Sequence, residues 1–382
     1  MNALACDLEG ADILLPGEGL AAARLSLAGG LIVEGPVGRA VDLRGFIVLP
    51  GIVDAHGDGF ERHLAPRRGV VGDLAEGLLA AEAELAANGI TTAVLAQFWS
   101  WEGGQRGPDF AARVFAAIRA ARGCLATDLI AQLRLETHML DDFADLPARL
   151  ADWRVGYVVF NDHLPHARLA RGRRPARLTG QALKAGRNPE RHLAIMQALH
   201  ERRGEVPGAL DALCRVLAGQ GVRMGSHDDR GAEDRAAWAA RGVAVAEFPE
   251  TPEAARAARA GGGAIVLGAP NVLRGGSHRR NARAAELIGA GCCDALASDY
   301  HYPAPRLAAL ALAGAGMDLG AAWALVSQRP ARMLGLSDRG VLAPGLRADL
   351  VVLEAATQRV AATVAGGCVS HMTHTLAQRF LA

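Results

Sequence analysis

Histidines and acidic residues recur in this chain in short groups, each at the end of an apolar run. His56 and Asp58 follow the run 46–54, and Glu136 closes the run 129–136 with His138 two residues on. Asp162 and His163 follow 155–161. His227, Asp228 and Asp229 follow 222–226, and Asp299, Tyr300 and His301 follow 295–298. Neutral imidazole and carboxylate donors suit zinc, manganese or iron. Brought together, they could hold one or two divalent cations and lower the pKa of a shared water towards about 7. A further carboxylate beside that water could take its proton. One histidine at a strand end is more often a packed, hydrogen-bonded residue than a ligand. Five strand ends that each offer His, Asp or Glu point to a metal centre.

Such convergence needs a particular scaffold. Eight apolar runs read as buried strands: 46–54, 89–96, 129–136, 155–161, 222–227, 243–248, 264–270 and 295–299. Between them lie Ala-, Leu- and Arg-rich segments with helical periodicity, among them 73–88, 109–122, 190–203, 208–219 and 252–260. This alternation predicts an α/β fold, a (β/α)8 TIM-like barrel, whose chemistry sits at the C-terminal ends of its strands. Both chain ends carry short β runs instead: 12–16, 23–28 and 30–34 at the start, 349–353 and 360–369 at the finish. Residues 1–47 and 341–382 are therefore expected to form one small β-domain, with 48–340 as the barrel.

Composition narrows the functional classes. With 41 Lys+Arg against 40 Asp+Glu, the net charge of +1 argues against an electrostatic nucleic-acid binder. Lys184 is the only lysine, in a polar run, so no core lysine is available to chemistry. The six cysteines form no CxxC pair, and Cys292 and Cys293 read as small core residues. The absence of a basic, apolar leader and of a long apolar span predicts no membrane association, and a reducing cytoplasm fits. The sequence leaves open whether the chain forms a homo-oligomer.

The segment Leu49-Pro-Gly-Ile-Val-Asp-Ala-His56-Gly-Asp58 resembles the first-strand signature "PGxxDxHxH" of the amidohydrolase superfamily. Gly340-Val-Leu-Ala-Pro-Gly-Leu-Arg-Ala-Asp-Leu-Val-Val-Leu resembles that superfamily's return into its small β-domain. Asp58 in place of the second histidine narrows the match. So do Ala246-Glu-Phe-Pro-Glu-Thr-Pro-Glu-Ala-Ala, Gly268-Ala-Pro-Asn-Val-Leu-Arg-Gly-Gly-Ser-His278, Leu296-Ala-Ser-Asp-Tyr300 and Ser226-His-Asp-Asp229. Together they are similar to the phosphonate-metabolism branch, over about residues 45–353.

The resemblance implies His56, Asp58, His163, His227 and Asp299 as metal-site residues, with zinc first and manganese or iron as alternatives. It makes Asp299 the proton acceptor. Lys184 cannot supply the carboxylated bridging lysine of many relatives, so Glu136 is the bridging candidate; the plain alternative is a salt bridge to Arg134. The superfamily scheme puts the bridge and two histidines on strands four to six, whereas here they end strands three to five. Two departures concern the family's Thr and Asn, replaced by Gly57 and Gly59, and its Gly-Gln-Arg-Gln loop, replaced by residues 164–174.

The implied reaction is hydrolysis of a phosphoanhydride: α-D-ribose 1-methylphosphonate 5-triphosphate to the 5-phosphate and pyrophosphate, in phosphonate catabolism. A small anionic, phosphorylated substrate needs cationic and polar partners. Arg67, Asn271, Arg274, Ser277, His278 and Tyr300 are the candidates, with Arg68 and the arginines of 168–174 nearby. A surface role suits most of the 168–174 arginines better. The same centre could instead deacylate or deaminate a cyclic amide or amine, which would not need Arg274, Ser277 and His278. A barrel kept only as a subunit of an assembly is disfavoured by the intact ligand set.

Overall fold

The computed structural model describes residues 3–67, 71–274 and 284–381. Its middle is an eight-stranded sheet: β1 (Ile52–Gly57), β2 (Ile90–Trp99), β3 (Asp128–Glu136), β4 (Tyr157–Asn161), β5 (Arg223–His227), β6 (Val245–Glu247), β7 (Ala264–Gly268) and β8 (Ala295–Ala297). All neighbours pair in parallel and in chain order. A parallel bridge between Gly57 and Asp299 joins the end of β8 to β1 and closes the barrel. Among the described residues no strand intervenes between Gly57 and Ile90, so Glu136, His163 and His227 stand at the ends of the third, fourth and fifth strands.

The two-residue period of the strands sorts their side chains. On β3, Leu133 and Leu135 join the core beneath the helices, while Gln132, Arg134 and Glu136 bond within the barrel. The helices Leu74–Ala87, Pro108–Ala121, Pro189–Glu201, Val206–Gly219 and Pro252–Ala260 follow the periodic segments closely. Asp73, Asn188 and Thr251 start three of them by accepting hydrogen bonds from first-turn N–H groups.

The run 46–54 is two strands. Phe46–Pro50 pairs antiparallel with Leu350–Glu354 in a six-stranded sheet drawn from both chain ends. The chain leaves that sheet at Gly51 and enters β1. The run 360–369 also divides, into Val360–Ala365 and Cys368–Met372, because Gly366 and Gly367 both adopt positive φ in the connecting turn. A four-stranded sheet of N-terminal residues packs with the six-stranded one around Leu8, Ile13, Leu27, Val48, Leu350 and Val364.

Lys184 is exposed at the C-terminal turn of helix Leu178–Lys184, and all six cysteines are unpaired, with Cys292 and Cys293 buried. No described helix is long and apolar enough to cross a membrane.

Gly51 is where the two cores meet. A Cβ there would lie 2.4 Å from Thr91 Oγ1 and 2.5 Å from Thr91 Cγ2, and Thr91 is fully buried. Gly51→Ala should lower stability by about 1–3 kcal/mol, read as a lower urea midpoint at unchanged slope. An unchanged midpoint would show that Thr91 can turn aside freely.

Candidate active site

The register of β1 carries one extra residue. Asp54 pairs with Ala93 but Gly57 pairs with Leu95, so three steps on β1 match two on β2. A bulge of this kind re-aims side chains. Here Ala55 joins the apolar barrel interior, and the next residue, His56, also faces inward, fully buried. Closure fixes its neighbour: Asp299 N–H donates to His56 O at 3.0 Å, and Asp58 N–H donates to Asp299 O at 2.9 Å. Beneath them the buried Asp54 carboxylate accepts from Ser298 N–H at 2.8 Å and from its hydroxyl at 2.5 Å.

His227 and Glu247 are register partners on β5 and β6. His56 Nδ1 lies 2.8 Å from Glu247 Oε2, and ligating atoms of His56, His227 and Glu247 all fall within 4.8 Å of one another. Yet neither ring nitrogen of His56, nor His227 Nδ1, nor Glu247 Oε2 has an aligned hydrogen bond. Buried polar atoms are normally satisfied. Unsatisfied lone pairs pointed at one another are what a cation would require, so these three residues fit a metal. Glu247 is oriented from behind: Tyr157 Oη donates to Oε1 at 2.6 Å and Gln132 Nε2 at 2.9 Å. Burial alone would raise the Glu247 pKa, but His56 and Tyr157 hold it below the usual carboxylate range.

Above this floor opens a cavity of about 700 Å³ lined by Asp58, His163, His227, Asp228 and Asp299 on one side. Burial and the adjacent Asp58 raise the Asp299 carboxyl to about 6. Asp228 is only half-buried; partial burial would raise its carboxyl, but His227 and Arg134 bring it down to about 2. Burial, with Arg134 nearby, lowers His227 to about 4. Asp228, Phe248 and Asp299 all have left-handed φ, between 52° and 59°. Backbone strain of this kind collects at functional sites.

Five arginines line the same cavity: Arg106, Arg134, Arg168, Arg177 and Arg274. Arg134 Nη2 lies 2.9 Å from His227 Nε2 and donates to Asn161 Oδ1 at 3.1 Å, while Nη1 is 3.7 Å from Asp58. The Arg106 and Arg134 guanidiniums both lie over the Phe98 ring, 4.1 and 4.0 Å from its centre. Arg274 lies over Tyr300 at 5.4 Å, and both line the cavity with Asn271.

The family model described as "Amidohydrolase family" matches residues 62–370. The chain belongs to the amidohydrolase family. It is 33% identical over 332 residues to alpha-D-ribose 1-methylphosphonate 5-triphosphate diphosphatase of Escherichia coli (strain K12), a match covering 82% of this chain and 85% of the relative. N-acetylglucosamine-6-phosphate deacetylase from Pasteurella multocida superposes with a TM-score of 0.64 at 10% identity, over 96% of this chain and 99% of that one. Beta-aspartyl dipeptidase from Fervidobacterium islandicum AW-1 does so at 0.61 and 13%, over 97% and 99%. These two likenesses show the shared barrel fold, and the family match with the 33% identity to the diphosphatase makes the chain a hydrolase.

Within this amidohydrolase the expected residues fall into three groups. His56, Asp58, His163, His227 and Asp299 surround one mouth, and Asn271, Arg274 and Tyr300 face it. Glu136 lies one layer away: its carboxylate contacts His163 Nδ1 and accepts from His163 N–H and Trp101 Nε1, each at 3.2 Å. Arg134 bonds to Asn161 and His227 rather than pairing with Glu136. The carboxylate that stands with His56 and His227 is Glu247. Its signal was its place at the end of the sixth strand, within the quoted block at 246–255. Arg67, expected to bind substrate, is exposed and does not line the described cavity wall. Ser277, His278 and Arg68 lie outside the described residues.

The two glycine departures also have a physical account. A Cβ at Gly57 would approach Asp54 Oδ2 at 2.8 Å, and one at Gly59 would meet the Tyr302 ring at 3.2 Å. The buried Tyr302 fills the space that side chains at 57 and 59 would need.

Tyr157→Phe should loosen Glu247 without emptying the core. A lost orienting bond of this type costs roughly 10–100-fold in metal affinity, measurable by chelator competition on the metal-loaded protein. Unchanged affinity would mean that Gln132 alone fixes Glu247.

Proposed function

We propose that this amidohydrolase hydrolyses a phosphoanhydride, releasing pyrophosphate from α-D-ribose 1-methylphosphonate 5-triphosphate in phosphonate catabolism. The observation that carries the reading is the meeting of an imidazole–carboxylate floor with five arginines around one cavity. A neutral cyclic amide would leave most of that positive wall without a partner, whereas a triphosphate and a phosphonate need it. The 33% identity to the diphosphatase supports the same substrate class.

One or two divalent cations, zinc first, would be held by His56, His227 and Glu247, with Asp58, His163 and Asp299 at the open side. When bound, the metal supplies Lewis acidity and makes water a nucleophile near neutral pH. Asp299, at the cavity wall with its backbone N–H bonded to His56 O, would accept the proton of the attacking water. Glu136 and His163 form a second imidazole–carboxylate pair that keeps the His163 ring turned to the cavity. Arg134 and Arg106, stacked on Phe98, hold fixed positive charge where charge builds on the phosphoryl oxygens. Asn271, Arg274 and Tyr300 bind the far end of the substrate.

Asp299→Asn should fold normally and lose about 10²–10⁴-fold in turnover. Near-normal turnover would remove its role as proton acceptor.

Arg274→Ala should raise KM for the ribosyl triphosphate by roughly 10- to 100-fold, as expected for losing about 1.5–3 kcal/mol of charged hydrogen bonding, with metal content unchanged. Steady-state pyrophosphate release by the metal-loaded protein measures both variants. Hydrolysis of a cyclic amide with no pyrophosphate release would replace this reading by the amidohydrolytic one.

A further inference from the structure

A second group of ligating side chains lies beside the active site, outside its cavity wall. His138 follows β3 by two residues, Asp162 follows β4 directly, and His166 opens the short helix His166–Leu169. Ligating atoms of the three lie within 4.8 Å of one another. Their separations are specific: His166 Nε2 is 3.0 and 3.2 Å from the two Asp162 oxygens, and His138 Nδ1 is 3.6 Å from Asp162 Oδ1. Ligands at about 2.0–2.1 Å from a tetrahedral zinc stand about 3.3 Å apart, so the two edges that meet at Asp162 are already close to those of one face of such a site. The imidazoles of His138, His166 and His200 form a row with centres 4.9 and 5.0 Å apart.

The surroundings treat these side chains as ligands are treated. His200, buried in helix Pro189–Glu201, places its Nδ1 2.7 Å from His166 Nδ1, so the nitrogen of His166 facing away from Asp162 is held by a hydrogen-bond partner. Orientation through the far ring nitrogen is usual for metal-bound histidine. Asp162 Oδ1 also accepts from Leu164 N–H at 3.1 Å, and the Thr137 hydroxyl lies 3.2 Å from His138 Nδ1, free to rotate. The open side of the triangle faces a cavity of about 710 Å³ that shares His163, His227 and Asp228 with the active-site cavity. Two imidazoles and one carboxylate favour a borderline cation such as zinc over magnesium or calcium.

We propose that His138, Asp162 and His166 form a separate zinc-type cation site on the barrel rim, with His200 as the residue that positions His166. The site would tie the ends of β3 and β4 to helix Pro189–Glu201 and leave one coordination position open to the neighbouring cavity. It stands independently of the substrate reading.

The test is zinc content of the zinc-loaded, desalted protein compared with His138→Gln and His166→Gln, each checked for native circular dichroism. The variants should hold one zinc per chain fewer than the parent and keep hydrolytic activity at the principal centre. Equal zinc content in parent and folded variants, or loss of all zinc together with activity, would overturn a separate site. Should both variants fail to fold, anomalous scattering at the zinc edge from crystals of the unaltered protein decides. A peak within about 2.0–2.2 Å of ligating atoms of His138, Asp162 and His166 supports the site. A peak only among His56, His227 and Glu247 leaves the rim group a hydrogen-bonded cluster and overturns the proposal.

Discussion

The rest of this structure is arranged around a buried imidazole with no aligned partner. His56 is fully buried, as is Glu247, 2.8 Å away. Leaving buried polar atoms unsatisfied costs roughly 1–3 kcal/mol each, so the fold must hold them against relaxation. It does so from several directions. The β1 bulge turns His56 inward, the Gly57–Asp299 bridge pins the strand end, and Tyr157 and Gln132 anchor the opposite oxygen of Glu247. None of these supports contributes a lone pair to the converging set. They spend hydrogen bonds to keep it converged, as pre-organised sites require.

Charge is distributed on the same logic. The floor gathers Asp58, Asp228 and Asp299 around one cavity, and burial, with repulsion from Asp58 and Asp228, raises Asp299 to about 6. Arg134 relieves part of that repulsion from the centre of the cluster, and its presence lowers His227. Arg106 and Arg134 both lie over the Phe98 ring, and Glu102 neutralises Arg106 at 2.7 Å. Among the described residues, the arginines at 168, 177 and 274 pair with no carboxylate of the cavity wall, and Arg274 lies over Tyr300, which leaves their charge available to a ligand.

Much of this was legible in the sequence. Eight apolar runs alternating with periodic helices could be read as a barrel because burial imposes a period of two on strands and 3.6 on helices. The terminal β runs could be read as one unit for the same reason, and the segments at 56–58, 163, 227 and 299 were visible as polar residues at strand ends. Each of these is a local signal. The type of residue and its spacing along the chain suffice.

What only the tertiary structure decided concerns relations between distant segments. Whether Glu136 or Glu247 joins His56 depends on which carboxylate lies level with His227 across the barrel, and that is set by parallel register. The division of the run 46–54 depends on Leu350–Glu354, some 300 residues away, capturing its first half. Arg67 and Arg106 are equivalent as residue types, yet one is exposed and the other lies against Phe98 in the cavity wall. The grouping of His138, Asp162, His166 and His200 likewise appears only when β3, β4 and helix Pro189–Glu201 are brought together. Sequence determined which side chains could do chemistry, because that is a property of each residue. Folding decided which of them share a lone-pair direction, because that depends on register, bulges and closure that no single segment encodes.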